Sequence, residues 1–476
     1  MILATTPKYV ILSVTVSAFV EDYRDFGGEH PASRASVRAQ HCMMRILIDD
    51  FEYFMQIVVI NIDYGCFCGI LLSKGVLYML AQFNVANYRS IRDKVTLSLI
   101  AGADKEHASD LISANGKKLL VPVAAIYGAN SSGKSNILMA VRAMQDMITG
   151  DSAQLLKEKK LPFDPFAFTA DTQSIPTEYE IIYYFNGVKY AYGFSHDSKH
   201  ILTEALYHWP NGREALIFSR EKNRFKFREN VNEQNILAGR TPANRLYLVS
   251  SNEWNAPQTA LAYKWFMEIL QPFIEPDMVD ITSSLFIDDS GKPSRDKVVN
   301  ELLLADLGIV DVSYDEIRNN GDDRHIKMLH KYECGGTTEY HTLPLEQESK
   351  GTQRFFARIG PWISALQKGG VLLVDELEAS LHPMLTRRLV EMMQDPDINV
   401  NRAQLIFTTH DTMLLDLTLL RRDQIWFTDK DPKTLATELF SLWDFSVRKS
   451  ENVRNGYLQG RFGAIPFIGG EATWQE

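Results

Sequence analysis

Only four cysteines occur in the 476 residues, at Cys42, Cys66, Cys68 and Cys334, which excludes a disulfide scaffold and suits a reducing, cytoplasmic setting. Cys66 and Cys68 have no second pair to complete a zinc site and are expected to be free thiols. Basic charge is also in short supply. The net charge of −10 excludes a chain that coats nucleic acid by bulk electrostatics, and leaves a local basic groove or another subunit to make any such contact. There is no sustained heptad run, internal repeat or low-complexity tract, so a long coiled-coil arm is not expected. Uninterrupted apolar runs of membrane-spanning length, about 20 residues, are missing too. Residues 9–20 are too short, and residues 57–80 are broken by Asp63 and Lys74. No membrane partner is expected. What remains is an ordinary balance of 45% hydrophobic and 23% charged residues, in a chain long enough for two or three packed units.

Against this plain background one segment stands out: Gly128-Ala129-Asn130-Ser131-Ser132-Gly133-Lys134-Ser135 is a complete P-loop. The apolar run Val121-Pro122-Val123-Ala124-Ala125-Ile126-Tyr127 precedes it and a helical pattern over residues 136–147 follows. A strand that turns through glycines into a helix aims backbone N–H groups and the positive helix end at a polyphosphate. Lys134 then reaches the β- and γ-phosphates and Ser135 holds magnesium. The spacing therefore predicts a nucleoside triphosphate site, with Gly128, Asn130, Ser131, Ser132, Gly133, Lys134, Ser135 and Asn136 as its contacts.

Residues 1–78 read apart from the rest. Lys8 alone precedes the apolar stretch 9–20, and no small-residue cleavage pattern closes it, so an export signal is not expected. A clean alternating strand starts near Met79, and residues 1–78 are expected to be an upstream extension, with a misassigned start as one reading and a membrane or regulatory appendage as the other. Residues 79–256 then carry alternating strands over 83–91 and 95–100, the P-loop, and strand-like segments 178–185, 189–195, 201–208 and 215–218. The turn signals Asn186-Gly187 and Asn211-Gly212 punctuate these segments, predicting an antiparallel sheet. Residues 257–340 are expected to be a mainly helical insert, with Leu261, Trp265, Ile269, Leu270, Val298, Leu302, Leu303 and Leu307 as core. Residues 341–476 form the last lobe.

That lobe holds the second half of a phosphoryl-transfer site. Val371-Leu372-Leu373-Val374-Asp375-Glu376 is an apolar strand ending in two acids. In P-loop ATPases the first supports the magnesium shell and the second polarises the attacking water, which assigns Asp375 to metal and Glu376 to catalysis. Gln404-Leu405-Ile406-Phe407-Thr408-Thr409-His410-Asp411 is a second buried-looking strand, and His410 at its end is a candidate γ-phosphate sensor.

The segment Pro344-Leu345-Glu346-Gln347-Glu348-Ser349-Lys350-Gly351-Thr352-Gln353 is similar to the signature loop of ABC-type ATPases, and the order P-loop, signature, acidic strand and histidine is theirs. Leu377-Glu378-Ala379-Ser380-Leu381-His382-Pro383 resembles the D-loop of the OLD, RecF and SMC branch, and Asn87-Tyr88-Arg89-Ser90 its first-strand motif. The resemblance runs from Met79 to about Pro466. It looks nearest to stand-alone bacterial phage-defence ATPases, RloA-like proteins and the ATPase subunit of PARIS-type systems, with which the tail segments Leu419-Leu420-Arg421-Arg422-Asp423-Gln424-Ile425-Trp426-Phe427 and Gly460-Arg461-Phe462-Gly463-Ala464-Ile465-Pro466 agree.

It implies an α/β P-loop fold of ABC type, ATP and Mg2+ as cofactors, and Arg89, Ser349 and Gly351 as further nucleotide contacts. Ser349 and Gly351 would complete the site of a second copy, giving an ATP-sandwich homodimer or higher oligomer. The implied role is a regulatory ATPase of anti-phage, abortive-infection systems that controls a separately encoded nuclease or toxin. The alternative is a DNA-repair ATPase of the RecF or SMC kind. Two departures stand out. Glu348-Ser349-Lys350-Gly351 lacks the leucine that opens the usual signature, and no glutamine is placed as the Q-loop residue. The stretch after His410 is too short for the metal-dependent nuclease domain that OLD proteins carry there.

Overall fold

The computed structural model describes residues 40–48, 51–62, 65–71, 78–114, 119–150, 160–271, 279–286, 292–305, 308–316, 324–448 and 451–466. The chain divides into two units, Met1–Val76 and Leu77–Glu476. The first holds three antiparallel strands, Gln40–Ile48, Phe51–Ile62 and Gly65–Leu71; Cys42 lies on the first, and Cys66 and Cys68 on the third. The apolar run 9–20 lies outside the described residues, and among those described no helix is long and apolar enough to cross a membrane. Removal of residues 1–76 is expected to leave the thermal midpoint and nucleotide affinity of the remaining chain unchanged. A truncated chain that fails to fold would assign the segment to the core.

The centre of the second unit is a five-stranded sheet. Val123–Gly128, a run of small, β-branched and aromatic residues buried at every position, is its middle strand, as expected for a parallel sheet covered on both faces. Its order is Val371–Val374, Gln404–Thr408, Val123–Gly128, Ile425–Lys430 and Thr437–Ser441, parallel except for the last pair. Side chains alternate between two cores. Ala124, Ile126, Leu373 and Ile406 face one that includes the helix Lys134–Thr149. Val123, Tyr127, Leu372 and Phe407 face another with the helices Lys350–Lys368 and Pro383–Gln394.

The first of those cores is closed by a seven-stranded antiparallel sheet. Its order is Arg224–Phe227, Ala215–Glu221, Ile201–Trp209, Val188–His196, Thr177–Phe185, Met79–Ala86 and Val95–Ser98. The predicted hairpins are there, with Asn186 (φ 54°) and Gly187 (φ 75°) in the left-handed conformation that a tight turn requires. A register shift between Leu80 and Gln82 interrupts the pairing of Met79–Ala86. At this point the fully buried Gln404 accepts from the Leu80 amide (2.7 Å) and donates to the carbonyls of Leu80 and Val121 (3.1 Å each). One side-chain amide thus stitches the two sheets together.

Several expectations are corrected. The first strand ends at Ala86 rather than continuing to residue 91, because Asn87 (φ 51°) and Arg89 (φ 50°) fold the Asn87–Ser90 motif into a tight turn with Tyr88 paired to Ile91. The helical insert stops at Leu304. Ile309–Glu316, Arg324–Cys334 and Thr337–Pro344 form an antiparallel meander, rich in the β-branched and aromatic residues that suit strands, within the range read as helical to residue 340. In the helices Pro257–Glu268 and Lys292–Leu304, Trp265, Val298 and Leu302 are fully buried, but Leu261 and Leu303 are each 44% exposed and lie on the outer faces; Leu307 lies outside the described residues.

Candidate functional site

The C-terminal ends of the parallel strands meet at one edge of the five-stranded sheet, where a parallel α/β sheet places its ligands. There the P-loop turns into the helix Lys134–Thr149. Gly133, with φ 106°, caps that helix, and a Cβ there would collide with Thr437 Oγ1 and come within 2.8 Å of Ser90 Oγ, so only glycine fits the turn. A cleft of about 480 Å³ opens above the loop. Its walls include Asn130, Ser131, Gly133, Lys134, Ser135 and Asn136, together with Glu376, His410, Ser90 and Lys430.

Lys134 is nearly buried, and its ammonium donates to the carbonyls of Gly128 (2.9 Å) and Ala129 (3.1 Å). Burial pulls its pKa below the usual lysine range, and the opposing charges of Asp375, Glu376 and Glu378 limit that shift. Ser135 Oγ donates to Asp375 Oδ1 at 3.0 Å, and the Thr408 hydroxyl donates to the same oxygen. Hydroxyl and carboxylate side by side are the hard oxygen donors that magnesium takes, so the residues fit the metal that the motif implies. The loop glycine and the nearly buried lysine equally fit a polyphosphate.

Glu376 is held by its backbone, which leaves its carboxylate on the cleft wall. Its amide donates to Thr408 Oγ1 (2.8 Å), and its carbonyl accepts from Arg358 Nη2 (3.2 Å), whose Nη1 reaches the carbonyl of Ala379 (3.1 Å). With φ 48° this glutamate occupies a conformation costly for a residue with a Cβ, and the surrounding bonds hold it there. His410 is fixed in the same way, its amide donating to Glu378 Oε1 (2.6 Å) while Thr409 Oγ1 binds the other oxygen (2.7 Å). Burial, then the charge of Lys134, push the His410 imidazole below its usual pKa and so favour its neutral form. Protonation would set a second cation near Lys134. An acid limb in turnover below about pH 6.5, the ordinary histidine value, is expected from this group. A pH–rate profile of His410→Asn should lack that limb, and an unchanged limb would assign it to another residue.

Not every predicted contact lines this cleft. Arg89 turns toward Asp164, its amide bonded to that residue's carbonyl (2.7 Å) and its guanidinium 3.7 Å from the carboxylate; Ser90 stands at the wall instead. Gly128, Ser132 and Asp375 are not on the cleft wall: the Gly128 carbonyl accepts from Lys134, Ser132 bonds Thr428, and Asp375 accepts from Ser135. Ser349 and Gly351 lie at the start of the helix Lys350–Lys368, where Ser349 caps the helix by accepting from the Thr352 amide (3.1 Å), and they are not on the cleft wall. Sequence reasoning missed Ser90, Thr408, Glu378, Arg358 and Lys430. Thr408 was legible in principle, since it ends the strand that leads to His410. A second concavity, about 360 Å³ on the seven-stranded sheet, is lined by Asn84 and Lys94, both bonded to Glu180.

A P-loop, a hydroxyl–carboxylate pair and a poised glutamate at the edge of a parallel sheet define an α/β P-loop ATPase domain. Residues 123–416, well over half of the 476, match the family described as "AAA domain, putative AbiEii toxin, Type IV TA system", and the chain belongs to that family. No curated protein matches it significantly. Among solved structures the chain is similar to an SMC head domain from Thermotoga maritima (12% identity, TM-score 0.36, covering 76% of this chain and 98% of that one). A second SMC head, crystallised with the C-winged helix domain of ScpA, is 15% identical at a TM-score of 0.34, covering 76% and 97% of the two chains. A third, with an extended coiled coil and bound to the C-terminal domain of ScpA derived from Pyrococcus furiosus, is 14% identical at 0.32, covering 77% and 96%.

Proposed function

We propose that the chain is a magnesium-dependent ATPase of ABC type whose nucleotide state restrains or releases a separately encoded effector in bacterial anti-phage defence. The observation that carries the ATPase part is the chain of bonds from Ser135 to Asp375, Thr408 and the Glu376 amide, which holds the proposed metal ligands and the proposed base beside the P-loop. Bound MgATP supplies the phosphoryl group and the charge that the metal neutralises. Ser135 and Asp375 hold that metal, Lys134 and the loop N–H groups bind the phosphates, and a Glu376 carboxylate oxygen accepts a proton from water. Ser349 and Gly351 stand apart from the chain's own cleft, in keeping with a role in closing the site of a second copy. A two-fold arrangement is the simplest closed assembly.

The abortive-infection role is supported by the family's description as a toxin–antitoxin AAA domain and by the tail segments quoted above. Its test is co-purification of the full chain with its genomic neighbours, with and without ATP. A small nuclease or toxin-like protein retained only with nucleotide is the expected result. Nucleic acid without a protein partner would favour the DNA-repair reading.

A further inference from the structure

Lys430 was not singled out by any motif, yet it stands on the wall of the phosphate cleft. Its place follows from the strand that carries it. Ile425–Lys430 pairs in parallel with the P-loop strand, Thr428 lying opposite Gly128. Thr428 Oγ1 lies 2.6 Å from Ser132 Oγ and donates to the carbonyl of Tyr127 at 3.3 Å, so this side of the strand faces the loop. Two residues on, Lys430 emerges on the same side, as the period of a strand requires. Directly opposite it on the neighbouring strand is Thr437, whose hydroxyl bonds the Ser132 carbonyl (2.8 Å) and Ser90 Oγ (2.7 Å). Lys430 therefore sits over the rim of the loop, and among the described residues its ammonium forms no ion pair.

Its neighbour Asp429 points the other way, where Oδ2 accepts from the amide of Ala464 (3.0 Å). Tyr457 and Phe462 from the same C-terminal tail stack on Phe427, with ring centroids 5.5 and 5.7 Å away. The tail thus clamps the strand that presents the lysine.

The sheet order decides which phosphates this lysine faces. Asp375, Glu376 and His410 follow the two strands on one flank of the P-loop strand, and Lys430 ends the strand on the other. Resting on the ATPase reading, we infer that Lys430 is a second phosphate-binding cation, serving the part of the polyphosphate away from the metal flank. A cation placed there holds diphosphate and triphosphate nucleotides alike, and leaves recognition of the γ-phosphate to Lys134 and His410.

The test is calorimetric titration of the full-length chain with MgATP and with MgADP. Lys430→Met is expected to weaken both by about tenfold, the scale of one charge-assisted phosphate contact, and to flatten the salt dependence of binding. Lys430→Arg should recover most of the affinity, and Lys433→Met, an exposed lysine three residues along, should bind as the wild type. Unchanged affinity in Lys430→Met would overturn the assignment, as would a loss confined to MgATP, which would put the lysine at the γ-phosphate. A wild-type chain that binds neither nucleotide would instead sink the ATPase reading itself.

Discussion

Lys134→Ala abolishes nucleotide binding: affinity for MgATP is expected to fall at least about 100-fold, or some 2.7 kcal/mol. The size follows from the site. Lys134 is nearly buried, and the carbonyls of Gly128 and Ala129 fix its ammonium at the base of the loop. Among the described residues of the cleft wall no other cation is placed to take over, because Lys430 stands away from the metal flank and burial favours the neutral His410 imidazole. Alanine removes the charge and leaves those two carbonyls without this donor, so a small loss of thermal stability accompanies the loss of binding. Calorimetry checks the first effect and a melting curve the second. Normal affinity in a folded variant would refute the P-loop assignment.

Glu376→Gln separates binding from turnover. The amide has the size of the carboxylate and cannot accept a proton from water, so kcat is expected to fall by about 10²–10⁴, the range for removing a general base. Affinity should be retained, because the fixed parts of residue 376 are its amide, bound by Thr408, and its carbonyl, bound by Arg358, neither of which the substitution touches. With hydrolysis stopped, the ATP-bound assembly accumulates. Light scattering after gel filtration should show a dimer or larger species with ATP and a smaller one without. Wild-type turnover in this variant would remove Glu376 from the role of base.

The candidate nucleotide cleft was legible because its information is contiguous. Gly133-Lys134-Ser135 and Asp375-Glu376 each sit at a strand end, where type, order and local pattern coincide. The antiparallel hairpins were legible for the same reason, through alternation and the Asn186-Gly187 turn. Residues that act through distant contacts were not. Thr408, Glu378 and Arg358 matter only because the fold brings them to Asp375, His410 and Glu376, and no local pattern marks a threonine, a glutamate or a helical arginine for such a task. The strand Met79–Ala86 shows the limit of alternation as a signal. It is buried on nearly every residue, because Met79 and Ala81 pack with Ile112 and Leu120 on one face while Leu80 and Phe83 enter the main core on the other. The meander after Ile309 escaped because a few apolar residues at helical spacing before it were read as continuing.

The Gln404 stitch couples the stability of the two sheets. Parting the two sheets would leave a fully buried amide and the Leu80 backbone groups without partners, at a cost of about 1–3 kcal/mol for each orphaned group. A form with one sheet folded and the other loose is therefore not an economical intermediate, and the two sheets melt as one cooperative unit. A displacement of the loop 128–135 would then move a stiff body rather than soften one layer.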